Sequence, residues 1–381
     1  MTRKQFLILL IGVMVLGGAG LALVWRDIAD YRASGARIGA KLLPALRIAD
    51  VAEVRLQDAK NQVTLARKEK MWVVQERGGY SASFQEISDL MIKLVELKVT
   101  QSEQVGASLW PRLELAEPGK DKGKEEGAGT LIEFRDAKGK PLTHLVLGKK
   151  VLKKDPLNPL PSAKDGVPAG RYVRVGGGKE TVVVVSDPLN SAEANPGRWL
   201  NRDFFKVDRV RALAGGPEGR APAWKIERAE EWGQWKFATG GGQLNPSAAV
   251  TAVNKLGSLS FDDVAAGPRP ATEGRPIAVI AETFDNLTYT VKLAKKAKSS
   301  DYLLNFTVMG EPPKQRVPEK GEKPEDAARH DKEFAEARKR LEARIAAERA
   351  LAQWTYIVSG RDIEPLLMDR SDMVAPRRDK P

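Results

Sequence analysis

The chain writes one order of elements twice, and this constrains its fold more than any other feature. Set from Arg47 and from Lys206, "RIADVAEVRL" aligns with "KVDRVRAL", and "VTLARKEKMWVV" aligns with "WKIERAEEWGQWKF". Each half reads as a short alternating strand, a charged turn and a second strand carrying Trp72 or Trp235, the pattern of a β-hairpin. A helix follows in both. The first starts at Ser83 with Glu86 three residues on, a capping box. The second starts "NPS", with Asn245 as N-cap and Pro246 at the first helical position. Spacings of three and four predict that Phe84, Ile87, Met91 and Leu94 line one helix face, and that Val250, Val253 and Leu256 line the other.

The correspondence continues. "GTLIEFRDAKGKPLTHLVLGKK" (129–150) pairs with "PIAVIAETFDNLTYTVKLAKK" (276–296), each being two strands around a polar turn. "GRYVRVGGGKETVVVVSDPL" (170–189) pairs with "DYLLNFTVMGEPP" plus "QWTYIVSGRDIEPL". Between the copies lies "NSAEANPGRWLNRDFFKVD", and "LLMDRSDMV" near the end reads as its degenerate counterpart. The expected fold class is therefore α+β: an N-terminal transmembrane helix followed by two tandem strand-rich repeats. Each repeat is an antiparallel sheet with one main packing helix. The expected boundaries are 1–26 for the anchor, 27–46 for a juxtamembrane segment, 47–205 and 206–374 for the repeats, and 375–381 for a disordered tail.

The second copy carries an insertion, 311–353, at a hairpin tip, where extra chain is tolerated. It opens on a Pro- and Lys-rich lead, "EPPKQRVPEKGEKPED", and continues as "AARHDKEFAEARKRLEARIAAERALAQ", a run of strong helix formers. Phe334, Leu341 and Ile345 form one narrow apolar stripe along it. Two readings stand: a surface helix lying on the domain, or a helix that binds a partner.

Ahead of the repeats, "MTRK" precedes "QFLILLIGVMVLGGAGLALVW", an uncharged run from Gln5 to Trp25. About 20 apolar residues span a bilayer core of roughly 30 Å. Trp25 and Arg26 close the run with an aromatic and a cation, as at a membrane interface. The length favours an uncleaved signal anchor over a cleaved signal, whose apolar core is shorter. The leading basic residues put the N-terminus in the cytoplasm, so the expected location is the inner membrane, with a single pass and a periplasmic body.

The chain has no cysteine, which excludes disulfides, thiolate metal sites, cysteine nucleophiles and a lipidated N-terminal cysteine. Its net charge of +12 comes from 62 basic and 50 acidic residues. Basic residues are not clustered with aromatics between them, so no nucleic-acid partner is expected.

The residues that commonly carry chemistry are sparse. Of the two histidines, His144 falls on a strand in "PLTHLVLG" and His330 in the charged insertion. Zinc needs more nitrogen or sulfur ligands near one another. A Ser-His-Asp enzyme would need one of these two, and no G-x-S-x-G elbow is present. "GGGKET", Gly176 to Thr181, lacks P-loop spacing, with Val173 where the first glycine belongs and Glu180 after the lysine. It reads as a hairpin turn, and Gly240 to Gly242 as a loop before a helix. The pairs Glu230–Glu231 and Asp262–Asp263 read as solvated acids, and Trp72 and Trp235 as core anchors. The sequons at Asn286 and Asn305 would carry no weight if the source is bacterial. No catalytic, cofactor-binding or metal residue is singled out, and no cofactor is expected.

The tryptophan strand, the small-residue helix start, the helix and the paired strands ending in "WLNRDFF" resemble the domain of unknown function 4340 family. The likeness covers most of Arg47 to Asp208 and, more loosely, the second half. The charged insertion and the Pro118–Gly129 loop depart from its pattern. The resemblance implies a membrane-anchored bacterial envelope protein, auxiliary to an ABC transporter of the type linked to gliding motility. The expected function is thus a non-enzymatic scaffold or accessory subunit with protein partners. The alternative is an extracytoplasmic binding module holding a glycan, lipid or peptide in a groove between the repeats.

Overall fold

The computed structural model describes residues 38–103, 105–119, 126–153, 166–176, 181–318 and 322–375. The expected membrane span, Gln5–Trp25, lies outside the described residues, as does most of the tail. Among the described residues, no helix is long and apolar enough to cross a membrane. The chain divides into two compact units after Asn201.

Unit 1 is built on nine strands: β1 (Glu53–Gln57), β2 (Gln62–Lys68), β3 (Met71–Val74), β4 (Tyr80–Ser81), β5 (Val99–Glu103), β6 (Thr130–Arg135), β7 (Pro141–Lys153), β8 (Val167–Val175) and β9 (Thr181–Val185). They form one antiparallel sheet in the order β4-β3-β2-β1-β6-β7-β8-β9-β5. Helix α1 (Phe84–Glu96) leaves β4 through Ser83, whose hydroxyl accepts from the Glu86 amide. This satisfies one of the amides that a helix start leaves unpaired. Ile87, Leu90, Met91 and Leu94 are its buried residues. Phe84, expected on that face, is 69% exposed because it sits at the first turn.

Unit 2 has eight strands: β10 (Val210–Pro217), β11 (Trp224–Glu227), β12 (Lys236–Phe237), β13 (Asp263–Val264), β14 (Thr272–Thr283), β15 (Leu287–Lys296), β16 (Asp301–Gly310) and β17 (Tyr356–Ser359). Their order, β12-β11-β10-β14-β15-β16-β17-β13, follows that of unit 1 strand for strand, without a partner for β4. Helix α2 (Pro246–Gly257) is capped by the Asn245 side chain. Its buried residues are Ala249, Ala252 and Leu256, not the expected Val250 and Val253. Two alanines allow close approach of the helix, and Val250 is turned outward, 45% exposed. Both units close alike, with Ala82 bridging Leu200 in one and Leu244 bridging Val374 in the other, each just before a helix cap. The "LLMDRSDMV" stretch thus occupies the place of "GRWLN".

Three boundaries differ from expectation. Residues 38–46 are part of unit 1: the Gly39 amide donates to Val99 O, that of Leu42 donates to Leu97 O, and Lys41 bridges Lys98. The division falls after Asn201 because Phe204 and Phe205 belong to the aromatic core of unit 2. Phe205 stacks on Phe306 with centroids 4.0 Å apart, and Phe204 packs on Phe261 and Tyr356. Ala375 is held by its amide, which donates to Gln243 O.

The tryptophan expectation is also corrected. Trp72 and Trp235 are only half-buried, and Trp235 lies under the Arg228 guanidinium at 4.8 Å. The fully buried tryptophans are Trp199 and Trp224, whose indole N–H groups donate to Glu193 O and Met368 O, each at 2.8 Å. Buried indoles need such a partner. Trp72 lies on β3, next to the edge strand β4, and Trp235 directly precedes the edge strand β12, so both sit toward a sheet edge.

Candidate functional site

A buried polar cluster of unit 1 joins the neighbouring strands β7 and β8 to the Trp110–Glu117 segment. The ladder sets Val146 opposite Arg174, and His144 lies two residues before Val146. Arg174 is 2% exposed. Its Nε donates to Leu115 O at 3.2 Å and its Nη2 to Glu117 Oε1 at 3.1 Å. The guanidinium lies 4.3 Å from the ring centroid of Trp110, on the 3-10 segment Ala107–Leu113. His144 Nε2 is 4.0 Å from the same Glu117 oxygen. Gly176 leaves room for the imidazole, since a Cβ there would stand 1.7 Å from His144 Nε2.

A buried guanidinium is tolerable only when it is paired and hydrogen-bonded, and here both conditions hold. The arrangement works as a clamp: Arg174 pins the Trp110–Glu117 segment to the sheet. His144 is too far from Glu117 for a hydrogen bond in which the carboxylate would orient it as a base. Among the described residues, no group of three or more His, Asp or Glu is placed to hold a metal.

Unit 2 has its own polar group at the matching place. Arg67 pairs across its hairpin with Trp72, and Arg228 stacks on Trp235, which fixes Leu65 against Ile226. Counting across the ladders from there, Arg174 matches Asn305 and His144 matches Thr290. Asn305 Nδ2 donates to Trp354 O at 3.0 Å and Thr355 Oγ1 at 2.9 Å, while its Oδ1 accepts from Arg269 at 3.2 Å. These groups edge a shallow cleft of about 250 Å³, with Lys292 ion-paired to Glu218 at 2.6 Å on its rim. The two units thus share a framework but place different side chains at the same points.

The insertion contributes the most buried acid among the described residues. Helix α3 (Pro324–Leu351) runs 28 residues, about 42 Å at 1.5 Å per residue. Only Ile345 and Glu348 are fully buried on it. Glu348 is 3% exposed. It accepts from the Tyr289 hydroxyl at 2.8 Å and the Lys206 amide at 3.2 Å, with Arg344 Nε at 3.5 Å. Burial, and then donation to the carboxylate, push the Tyr289 phenol well above its ordinary range. The surface-helix reading holds for this end of α3, which is anchored on the sheet of unit 2. At its other end, His330 is half-buried. Its Nδ1 lies 2.5 Å from Glu322, which also takes Arg316 at 2.7 Å and is held below the usual carboxylate range chiefly by that hydrogen bond.

The remaining sequence candidates are dispersed. Glu231 and Asp285 both pair with Arg209, so Glu231 is ion-paired rather than merely solvated. Asp263 accepts from the Val264 amide in β13. In "GGGKET", residues 177–180 lie outside the described residues, and Val175 faces Thr181 across the β8–β9 pair. Residue-by-residue reading missed Arg174, Glu117 and Glu348. Arg174 was signalled by a charge in register with the alternating "YVRV" strand. Glu348 was signalled by lying three residues past Ile345 on the apolar stripe of α3.

No protein-family model, no curated protein and no solved structure matches this chain.

Proposed function

We propose that the chain is a non-enzymatic, membrane-anchored protein of the bacterial envelope. In this reading Gln5–Trp25 crosses the inner membrane once, and a duplicated strand-rich body stands in the periplasm as scaffold or accessory subunit of a membrane complex. One observation carries the reading. The two units keep strand order, helix cap and closing bridge, while the polar residues at matching positions differ: Arg174 and His144 in one, Asn305 and Thr290 in the other. A framework used twice with unlike polar residues at its matching positions suits a scaffold better than a reaction. The resemblance to the domain of unknown function 4340 family supplies the kind of partner, an ABC transporter of the type linked to gliding motility.

The test is purification of the full chain from gently solubilised membranes. Stable, stoichiometric recovery with transporter subunits supports the scaffold. Recovery alone with a bound small molecule sinks it and favours an extracytoplasmic binding module, for which the Arg269–Asn305 cleft of unit 2 is the place to look.

A further inference from the structure

We propose that the first residues of unit 1 form a membrane-resting surface that seats on anionic lipid headgroups. The inference deepens the anchored reading and rests on it. Residues 38–50 wrap from the start of β5 toward the start of β1 and carry a concentration of exposed apolar side chains. Ile38 is 68% exposed and Ile48 43% exposed, and Pro44 and Ala45 are open to solvent. Leu142, 40% exposed at the start of β7, joins Leu42, Leu46 and Thr143 around a cleft of about 270 Å³. Scattered apolar residues on a surface are ordinary, but Leu42, Pro44, Ala45, Leu46 and Leu142 line one cleft together, and an apolar surface gathered in this way marks an interaction site.

Charge and chain length favour a bilayer as the occupant. Lys41, Arg47, Lys138 and Lys140 are exposed on and beside the patch. Asp50 pairs with Arg47 at 3.5 Å, which leaves Lys41, Lys138 and Lys140 as the cations available to headgroups. Apolar side chains flanked by cations are the composition of an interfacial segment, and anionic headgroups attract such cations. Trp25 closes the apolar run and Ile38 begins the patch, leaving 12 residues between them. These reach at most about 40 Å when extended. A tether this short holds the patch at high effective concentration beside the bilayer, so weak contacts suffice to seat it.

The absence of native cysteine makes the test clean, since one introduced thiol is the only labelling site. The full chain carrying Ala45→Cys with an environment-sensitive fluorophore is reconstituted into nanodiscs of phosphatidylcholine with phosphatidylglycerol and a headgroup-borne quencher. A separate preparation carries Val13→Cys and is read with a mid-chain quencher. The proposal expects the Ala45 probe to lose most of its emission, less in phosphatidylcholine alone, and less again in the exposed-site variant Leu142→Asp. Circular dichroism checks that this variant is folded. Quenching at Val13 with a bright, solvent-exposed probe at Ala45 overturns the resting surface while the anchor stands. Two bright probes overturn both. A probe at Ala45 that is shielded but not quenched by lipid shows a second copy or another protein on the patch, and also overturns the proposal.

Discussion

The indole of Trp224 lies over Gly215, its partner across the β10–β11 ladder, and donates to Met368 O at 2.8 Å. A Cβ added at Gly215 would stand 2.5 Å from the Trp224 ring. The glycine is thus the recess that lets a large side chain lie flat on the sheet. Because the ring belongs to the core, Gly215→Ala is expected to destabilise unit 2 by about 1–3 kcal/mol through overpacking. Trp224→Ala should cost about 3–5 kcal/mol through the cavity and the orphaned carbonyl. Urea titration followed by far-UV circular dichroism checks both.

The Arg174–Glu117 clamp predicts that breaking the pair costs more than replacing it. Removing only the acid leaves a buried guanidinium uncompensated, so Glu117→Ala is expected to cost about 3 kcal/mol. The double variant Glu117→Leu with Arg174→Met keeps volume beside Trp110 and removes both charges, and should cost clearly less. Equal losses in denaturant titrations of the two variants would mean that the pair is not desolvated as described.

Tyr289 makes a pH-dependent contribution whose sign follows from its raised pKa. The folded chain keeps the phenolic proton longer than the unfolded chain, which releases it near the ordinary value of about 10. The stabilisation is therefore full below pH about 10 and declines as pH rises above it. Tyr289→Phe should lose about 1–3 kcal/mol at neutral pH, because Glu348 loses a buried donor. It should also flatten the alkaline fall in stability. Parallel denaturant titrations at neutral and alkaline pH read both effects.

Arg349 takes over a ladder that β17 leaves unfinished. β17 pairs with β16 only from Asp301 to Leu304, and Arg349 donates to the carbonyls of Val308 and Gly310 beyond it. Open strand edges template association. Arg349→Ala is expected to cost about 1–2 kcal/mol and to raise concentration-dependent self-association in light scattering. An unchanged mass distribution at high concentration would rule out the edge-guarding role.

The strand order, the hairpins and both N-cap residues were legible because they rest on local signals: Ser83 and Asn245 cap as their side chains dictate, while Glu86, read as the returning half of a capping box, pairs with Arg198 instead. What could not be read depends on the second layer. Alternation makes Trp72 and Trp224 look alike, but only the latter has Gly215 opposite it and residues near Met368 above it. The face of α2 was misjudged because small residues, Ala249 and Ala252, win the interface when a helix packs close, whereas apolar spacing alone favours the valines. The Phe204–Phe205 pair was assigned to the wrong unit because sequence similarity does not show where a connecting segment finds its core. The polar clamps were hidden because Arg174 and Glu117 lie 57 residues apart in the chain.

The central claim is that one N-terminal segment anchors the chain and that both units stand outside the cytoplasm. A membrane-impermeant maleimide tests it against a cysteine-free background, with Leu109→Cys reporting on unit 1 and Trp232→Cys on unit 2, both at exposed sites. The account predicts that both thiols are labelled in intact spheroplasts as fully as after lysis. Labelling of either thiol only after lysis would contradict it.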